Sequence, residues 1–208
     1  MSSFNLPATL SAFKLITSPS SLLPHARVPT FSLLPSPITS LLPPSADIQA
    51  VVLDKDNCFA SKDASCVHES NITAFKELRK QFPGNKLLIV SNTAGTAALD
   101  PNDKLALAVE AATDGVPVLR HVGRKPDQSC IADIMAFFRA HPETNVSRPA
   151  QVVVVGDRLL TDIVMANNMG AWSIWIHDGV LKGSSWPVRL ERFWLAYVES
   201  FYNPIYPK

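Results

Sequence analysis

A short apolar run that ends in two aspartates constrains the fold of this chain more than any other stretch. Residues Ile48–Leu53 are rich in β-branched side chains and are long enough for one buried strand. Asp54 and Asp56 follow at once, and the alternation of side chains along a strand predicts that both point to the same side. Two carboxylates this close repel each other unless a cation lies between them or one keeps a proton. The alternative is an aspartate-rich turn that closes a strand, with Asn57 in the turn.

Later segments place further polar residues where predicted strands end. The residues concerned are Ser91 and Asn92, then Lys125, then Asp157 and Asp162. The carboxyl ends of parallel strands meet at one edge of a sheet, where open α/β folds bind their ligands. Each residue also has a plainer explanation, because Ser and Asn cap helices, lysines are usually exposed, and aspartates close turns or oppose a helix dipole. Their coincidence at successive strand ends favours a common site.

Helical and strand-like segments alternate along most of the chain. Helices are predicted over residues 71–82, 103–112, 126–140 and 159–169, and further strands over 86–90, 116–119, 151–155 and 172–176. Strands that alternate with helices predict an α/β fold with a Rossmann-like parallel sheet of about five strands. Only one loop and one helix separate Asp54 from Ser91, and one helix and one short strand separate Ser91 from Lys125. We therefore expect no cap domain.

These segments, in this order, resemble the haloacid dehalogenase (HAD) superfamily of aspartate-nucleophile phosphatases. The sequences D-K-D-N-C from Asp54, I-V-S-N-T-A-G around Ser91 and V-G-D-R-L-x-T-D around Asp157 are similar to one branch of it. That branch is the mitochondrial phosphatidylglycerophosphate phosphatases of fungi and plants. The resemblance covers roughly residues 28–182, and it implies a capless core and a Mg²⁺ cofactor.

The resemblance also implies a role for each site residue. Asp54 attacks phosphorus and forms an aspartyl-phosphate, while Asp56 donates a proton to the leaving alkoxide and later takes one from water. Ser91 binds a phosphoryl oxygen, and Lys125 neutralises the developing charge and restrains Asp54. The residues implied at the metal site are Asp54, Asp56 through its backbone carbonyl, Asp157 and Asp162, the last by holding water or Lys125.

Four more residues are predicted to bind substrate. His121, Arg124 and Arg158 each follow a predicted strand, so each is expected at the rim of the site, in reach of a second phosphate. The backbone of Asn92 lies beside Ser91 and is placed to bind the phosphoryl group as well. The alternative for each of the four is a structural or solvent-exposed residue.

Residues 1–46 differ in composition from residues 47–208, which we expect to form the phosphatase domain. The first segment holds eight of the 17 prolines and no glycine, and no acidic residue precedes Asp47. Proline at this density prevents long helices and favours an arm that wraps the domain or contacts a membrane. Leu6–Thr17 has the spacing of an interfacial helix, and an acid-free, serine-rich leader also suits mitochondrial import.

The C-terminal stretch Trp186–Tyr202 is predicted to be an amphipathic helix. Its apolar stripe comprises Leu190, Phe193, Trp194, Tyr197, Val198 and Phe201. Such a stripe favours packing against the core or another subunit, and membrane contact is the alternative because Trp and Tyr are enriched at membrane interfaces.

Composition excludes several classes of function. A net charge of +1 gives no sign of a nucleic-acid partner, and no run of about 18 apolar residues is present to span a bilayer. The three cysteines form no C-x-x-C pair and none begins a C-x₅-R phosphate loop, so a cysteine-nucleophile phosphatase is not expected. Cys58 is predicted to pack beside the paired acids.

The resemblance implies conversion of phosphatidylglycerophosphate to phosphatidylglycerol, a step towards cardiolipin. It further implies a peripheral position at the matrix face of the mitochondrial inner membrane. The chemistry follows from the residues, whereas the lipid follows from the resemblance. Two alternatives stay open at this point: a phosphatase for a soluble phosphomonoester, and a non-catalytic membrane scaffold on the same fold. Self-association is a further expectation, because a capless site can take its lid from a partner subunit.

Overall fold

A five-stranded, wholly parallel sheet forms the centre of the computed structural model, which describes residues 18–180, 193 and 195–207. The strands are β1 (Ala26–Val28), β2 (Ala50–Leu53), β3 (Leu87–Ile89), β4 (Val152–Gly156) and β5 (Trp172–Ile176). Their spatial order is β1-β5-β4-β2-β3, and every pairing is parallel. The predicted α/β class with about five strands and no cap domain is confirmed.

Between residues 18 and 180, four α-helices flank the sheet. They are α1 (Ile72–Gln81), α2 (Lys104–Ala112), α3 (Gln128–Ala140) and α4 (Val164–Met169), the last preceded by a π-helical turn over Leu159–Ile163. Asp127 caps α3 by accepting a hydrogen bond from the Ser129 N–H at 2.8 Å, so this helix begins two residues after Pro126 instead of at it. Gly170 ends α4 with a φ of 78°, a conformation that glycine adopts without strain.

The two faces of the sheet each carry an apolar core, as the alternation of strand side chains requires. Val51 and Leu53 face a core that includes Phe75 and Leu78 of α1. Val52, which lies between these two residues in the strand, faces the opposite core. The residues that α3 contributes to this second core are Cys130, Ile131, Ile134 and Phe138.

Two strand predictions were wrong in detail. Residues 116–119 form no strand, because this segment makes a single bridge between Val118 and Ile89. The fifth strand is β1, which lies inside the segment predicted as a separate arm and pairs with β5 from Ala26 to Val28. Residue 46 is therefore not the edge of the folded unit, and Phe31 lies in the same core as α1.

The C-terminal helix packs with fewer of its apolar residues than predicted. Residues 195–199 are helical, and Leu195 and Val198 lie in a third apolar cluster with Trp175. The aromatic side chains of Phe193, Tyr197 and Phe201 are instead exposed. Leu190 and Trp194, together with the helix predicted over residues 6–17, lie outside the described residues. Within the part of the chain that the structure describes, no helix has the length and apolar character needed to cross a bilayer.

Candidate active site

The site lies where β2 and β4 end. Asp54 directly follows β2, and its N–H still joins the sheet by donating to the Val155 carbonyl at 2.9 Å. Asp157 directly follows β4, and Asp162 lies in the π-helical turn that comes next. Each of the three carboxylates offers an oxygen within 4.8 Å of the others, so the structure brings together three acids that the sequence placed at two strand ends.

Lys125 supplies a buried positive charge to this cluster. Its ammonium group contacts the Asp54 carboxylate and lies 2.7 Å from Asp162 Oδ1. Burial lowers the pKa of this lysine, but the carboxylates of Asp162 and Asp54 outweigh burial and hold the pKa above its usual value. Lys125 is therefore a cation that fixes two of the three acids, as predicted for a residue that restrains the nucleophile.

The cluster still carries more negative than positive charge. Burial raises the pKa of Asp54 well above its usual range, and the nearby carboxylates of Asp162 and Asp157 add to the rise, whereas Lys125 opposes it. Burial and then the charge of Asp162 raise the pKa of Asp157 to about 7. Such shifts are the expected result of burying like charges side by side without a compensating cation.

Gly156 makes room for the third acid. A Cβ added at this glycine would lie 2.4 Å from Asp162 Cγ, closer than real side chains approach each other. The Asp162 carboxylate also accepts a hydrogen bond from the Arg158 backbone N–H at 3.1 Å. The Gly156-Asp157 sequence thus allows the turn to fold back so that Asp162 lies against the strand end.

Asp56 lies in a separate hydrogen-bonded group with Ser91. Because β2 ends at Leu53, Asp56 belongs to a turn, and strand alternation does not apply to it. Its carboxylate accepts hydrogen bonds from Thr93 Oγ1 at 2.6 Å and from Ser91 Oγ at 3.3 Å, and it also contacts the Lys55 ammonium. Ser91 therefore contacts Asp56 through its hydroxyl, and its role at the phosphoryl group stays a prediction.

The surroundings of Asp56 favour its ionised form. Burial raises its pKa, but the hydrogen bonds from Lys55 and Thr93 lower it by more, and the pKa lies below its usual value. A carboxylate with a lowered pKa is a weaker base and holds a proton poorly. The predicted action of Asp56 as proton donor thus requires the hydrogen bonds from Lys55 and Thr93 to weaken when substrate binds.

The side chains of His121 and Asn92 bond to backbone groups. His121 is buried, with Nε2 at 2.9 Å from the Ser91 carbonyl and Nδ1 at 2.6 Å from the Gly123 carbonyl, so it does not lie on the rim as predicted. The Asn92 side chain accepts from the Lys125 N–H at 2.7 Å and donates to the Lys125 carbonyl at 3.3 Å. The prediction for Asn92 concerned its backbone, and contact of that backbone with the phosphoryl group stays a prediction.

The two predicted rim arginines are more accessible. Arg124 is exposed and donates a hydrogen bond to the Asn92 carbonyl at 3.3 Å, beside the Lys125 segment. Arg158 is half-buried and follows Asp157 directly. Their contact with substrate stays a prediction.

Residues 6–181 match the family model described as mitochondrial PGP phosphatase. The chain belongs to this family. The mitochondrial PGP phosphatase family is thus the branch that the sequence motifs resembled.

Relatives support the same placement. The chain is 42% identical over 176 residues to "Phosphatidylglycerophosphatase GEP4, mitochondrial" of Saccharomyces cerevisiae, covering 85% of this chain and 89% of that protein. It is 32% identical over 207 residues to "Probable phosphatidylglycerophosphatase, mitochondrial" of Schizosaccharomyces pombe, covering 98% and 96%. It is 35% identical over 162 residues to "Phosphatidylglycerophosphate phosphatase 1, chloroplastic" of Chlamydomonas reinhardtii, covering 76% and 56%.

Three residues around the site were not found by sequence reasoning in this family member. Thr93 and Lys55 hold Asp56, and Asn57 Nδ2 donates to Asp157 Oδ2 at 2.8 Å. Thr93 follows Ser91 by two residues, a spacing that could have pointed to it. Lys55 carried no such signal. In a strand, alternation would point Lys55 away from the two acids on either side of it, but these residues form a turn, and the turn buries Lys55.

The cluster fits a divalent cation. Asp157 Oδ1 is buried and has no hydrogen-bond partner among the described residues, a costly arrangement for a carboxylate oxygen that a bound cation would relieve. An all-oxygen set of carboxylates is also the donor type that Mg²⁺ prefers. Asp54, Asp157 and Asp162 are therefore the side chains that could hold the ion. Cys58 lies nearby but is buried, and burial followed by the charge of Asp54 raises the pKa of its thiol, so it is no nucleophile.

Proposed function

We propose that this chain is a Mg²⁺-dependent phosphatase that converts phosphatidylglycerophosphate to phosphatidylglycerol through an aspartyl-phosphate. The observation that carries the proposal is the buried cluster in which Lys125 joins Asp54 and Asp162 beside Asp157. A non-catalytic scaffold has no need for such a costly arrangement, because isolated buried charges oppose folding. The substrate is supported by the names of the relatives and by membership of the family.

The residues divide the reaction between them. A carboxylate oxygen of Asp54 attacks phosphorus while the bond from phosphorus to the glycerol oxygen breaks, and the leaving alkoxide takes a proton from Asp56. Water then attacks the aspartyl-phosphate, Asp56 accepts its proton, and Asp54 is restored as phosphate leaves. A divalent cation, when bound, supplies positive charge that offsets the repulsion between a carboxylate nucleophile and an anionic phosphoryl group.

Lys125 and Ser91 prepare the site for these steps. The Lys125 ammonium touches Asp54, so it is placed to neutralise charge on the phosphoryl oxygens while it fixes the nucleophile. The hydroxyls of Ser91 and Thr93 lie 2.8 Å apart and at present point to Asp56. On substrate binding, both are placed to donate to a phosphoryl oxygen instead, which would remove the Thr93 hydrogen bond that helps to keep the pKa of Asp56 low.

Phosphate release tests the proposal directly. The chain is assayed with phosphatidylglycerophosphate and with glycerol 3-phosphate, each with Mg²⁺ and with excess chelator. We expect release from the lipid in Mg²⁺, little release from the soluble ester, and none with chelator. Faster release from glycerol 3-phosphate would replace the lipid substrate with a soluble phosphomonoester.

Substitution of the nucleophile separates catalysis from a scaffold role. Asp54→Asn should abolish phosphate release and leave a folded protein, because it removes the attacking carboxylate and also one buried negative charge. Asp133→Asn, on helix α3 and outside the cluster, is the matched control and should retain full activity. Normal hydrolysis by Asp54→Asn would assign the nucleophile to another residue.

We propose further that the chain acts at the matrix face of the mitochondrial inner membrane, as a peripheral protein in cardiolipin synthesis. The mitochondrial names of two relatives and the exposed aromatic side chains of Phe193, Tyr197 and Phe201 support this. The full chain should float with vesicles of phosphatidylcholine and phosphatidylglycerol. Joint replacement of the three aromatic residues by serine should reduce flotation, whereas Leu107→Ser, an equally exposed apolar change on α2, should not. Equal flotation of all three proteins would reject these aromatics as the contact.

A further inference from the structure

Asn57 links the loop after β2 to the end of β4, across 100 positions of sequence. Its backbone has a φ of 63°, in the left-handed region that Asn tolerates better than most residues. Its N–H donates to the Ala60 carbonyl at 2.8 Å, and its own carbonyl accepts from the Val180 N–H at 2.9 Å. With its backbone fixed at both groups, the side-chain amide has a defined direction, and Nδ2 donates to Asp157 Oδ2 at 2.8 Å.

This hydrogen bond distinguishes the two oxygens of Asp157. Oδ2 accepts a hydrogen bond from the amide of Asn57, whereas Oδ1 is buried and has no such partner in the part of the chain that the structure describes. A carboxylate held by one oxygen can rotate little, so the other oxygen keeps its direction. Since Asp157 belongs to the three-carboxylate cluster, the arrangement leaves Oδ1 available to a cation.

The loop after β5 is shaped around the same amide. Gly179 has a φ of +56°, and a Cβ added there would lie 2.2 Å from Asn57 Nδ2. A turn residue with no further role would explain the positive φ of Asn57, but it would not explain why a glycine in a distant loop leaves space for its amide. The hydrogen bond of the Asn57 side chain and the space left by Gly179 together indicate that the direction of the Asn57 amide is important for the site.

We infer that Asn57 is a positioning residue for the divalent-cation site, and that it orients Asp157 through Oδ2 so that Oδ1 faces the ion. This inference rests on the proposed Mg²⁺ dependence. It adds Asn57 and the loop that contains Gly179 to the residues that shape the site. Groups that orient a metal ligand typically contribute about 10- to 100-fold to metal affinity. Asn57 should therefore affect Mg²⁺ binding far more than folding.

Asn57→Gly tests the inference, because glycine adopts a positive φ without strain and removes only the amide. Asn145→Gly is the matched control, since Asn145 has a φ of 61° and is exposed. Mg²⁺ affinity of the metal-free full chain is measured by titration calorimetry, and Mn²⁺ affinity by electron paramagnetic resonance. We expect about a 10-fold or greater loss of affinity in Asn57→Gly, no change in Asn145→Gly, and metal-free melting temperatures close to that of the wild type.

A second pair of variants tests the amide from the other side. Gly179→Ala forces a methyl group against Asn57 Nδ2, whereas Gly84→Ala has nearly the same φ, +60°, with nothing within 4 Å. Both bear the same backbone strain, so only Gly179→Ala should lose Mg²⁺ affinity. Wild-type affinity in both Asn57→Gly and Gly179→Ala overturns the inference, and if Asn57→Gly does not fold, the glycine pair decides alone. Absence of Mg²⁺ binding by the wild type would instead reject the proposed cofactor.

Discussion

At the scale of single residues, Lys125 supplies the positive charge that allows three carboxylates to be buried together when no metal ion is bound. Replacement by methionine keeps most of the side-chain volume but leaves Asp54 and Asp162 without their cation. We expect the metal-free Lys125→Met variant to lose about 3–5 kcal/mol of unfolding free energy, because breaking a buried pair leaves uncompensated charge. Mg²⁺ should then raise its melting temperature by more than it raises that of the wild type. Lys104→Met, at an exposed position, is the control, and an equal Mg²⁺ response in Lys125→Met and wild type would contradict this account.

Asn92 holds the Lys125 segment, and its substitution should change turnover more than substrate affinity. Both polar atoms of its side chain bond to the backbone of Lys125. Asn92→Ala should lower kcat by about 10- to 100-fold, because a small displacement of a catalytic group is costly, with little change in KM. Steady-state kinetics of Asn92→Ala and of Asn85→Ala, a half-buried asparagine that bonds to Glu143, measure the effect. A rise in KM at constant kcat would indicate instead that the Asn92 side chain binds substrate.

At the scale of elements, strand β1 makes the proline-rich segment part of the core. Phe31, just after β1, is 1% exposed and lies 6.2 Å from the ring of Phe59, whereas Leu33 in the same short turn is 62% exposed. Phe31→Ala should cost about 3–5 kcal/mol of unfolding free energy, and Leu33→Ala less than about 0.5 kcal/mol. Urea denaturation measures both. Two equally small losses would mean that this segment is separable from the domain.

The elements that periodicity predicted are those with repeated apolar positions. The predicted end of helix α3 at Ala140 and both predicted ends of strand β5 agree with the structure. Burial against one core imposes a regular apolar pattern on such elements, and this pattern makes them predictable. Strand β1 has only three residues, with a histidine before it and a proline after it, and three residues are too few to show a periodic pattern of apolar side chains. Val118 alone of residues 116–119 pairs with β3, so an apolar sequence there forms a bridge and no strand.

The site was predicted as far as it depends on sheet topology. Asp54 and Asp157 had to meet, because parallel neighbours β2 and β4 carry them at the same edge. Asn57, Lys55 and His121 depend on how individual turns bend, and composition does not fix those angles. Asn57 and His121 contact residues far apart in sequence, Asp157 and Ser91, so local patterns contained no signal for these contacts.

At the scale of the whole molecule, the acidic cluster should make stability depend on pH in a direction that Mg²⁺ reverses. Asp157 has a pKa of about 7 in the folded chain against 3.8 ordinarily, and the pKa of Asp54 is raised as well. Between about pH 4 and pH 7 these two carboxyls therefore hold more protons in the folded state than in the unfolded state, and linkage makes their contribution to the unfolding free energy fall as pH rises. Urea denaturation in chelator across this window, compared with a variant that lacks the Asp157 carboxyl, should show the fall.

Mg²⁺ binds the ionised carboxylates, so with excess Mg²⁺ the fall should weaken or become a rise. The difference between wild type and Asp157→Asn isolates this carboxyl, because groups with opposite shifts, such as His25, whose pKa burial lowers, are present in both proteins and cancel. In chelator, the wild type should lose stability relative to Asp157→Asn as pH rises, by a few kcal/mol at most. Parallel curves for the two proteins would show that Asp157 is ionised without cost, and the cluster would then have no need of a cation.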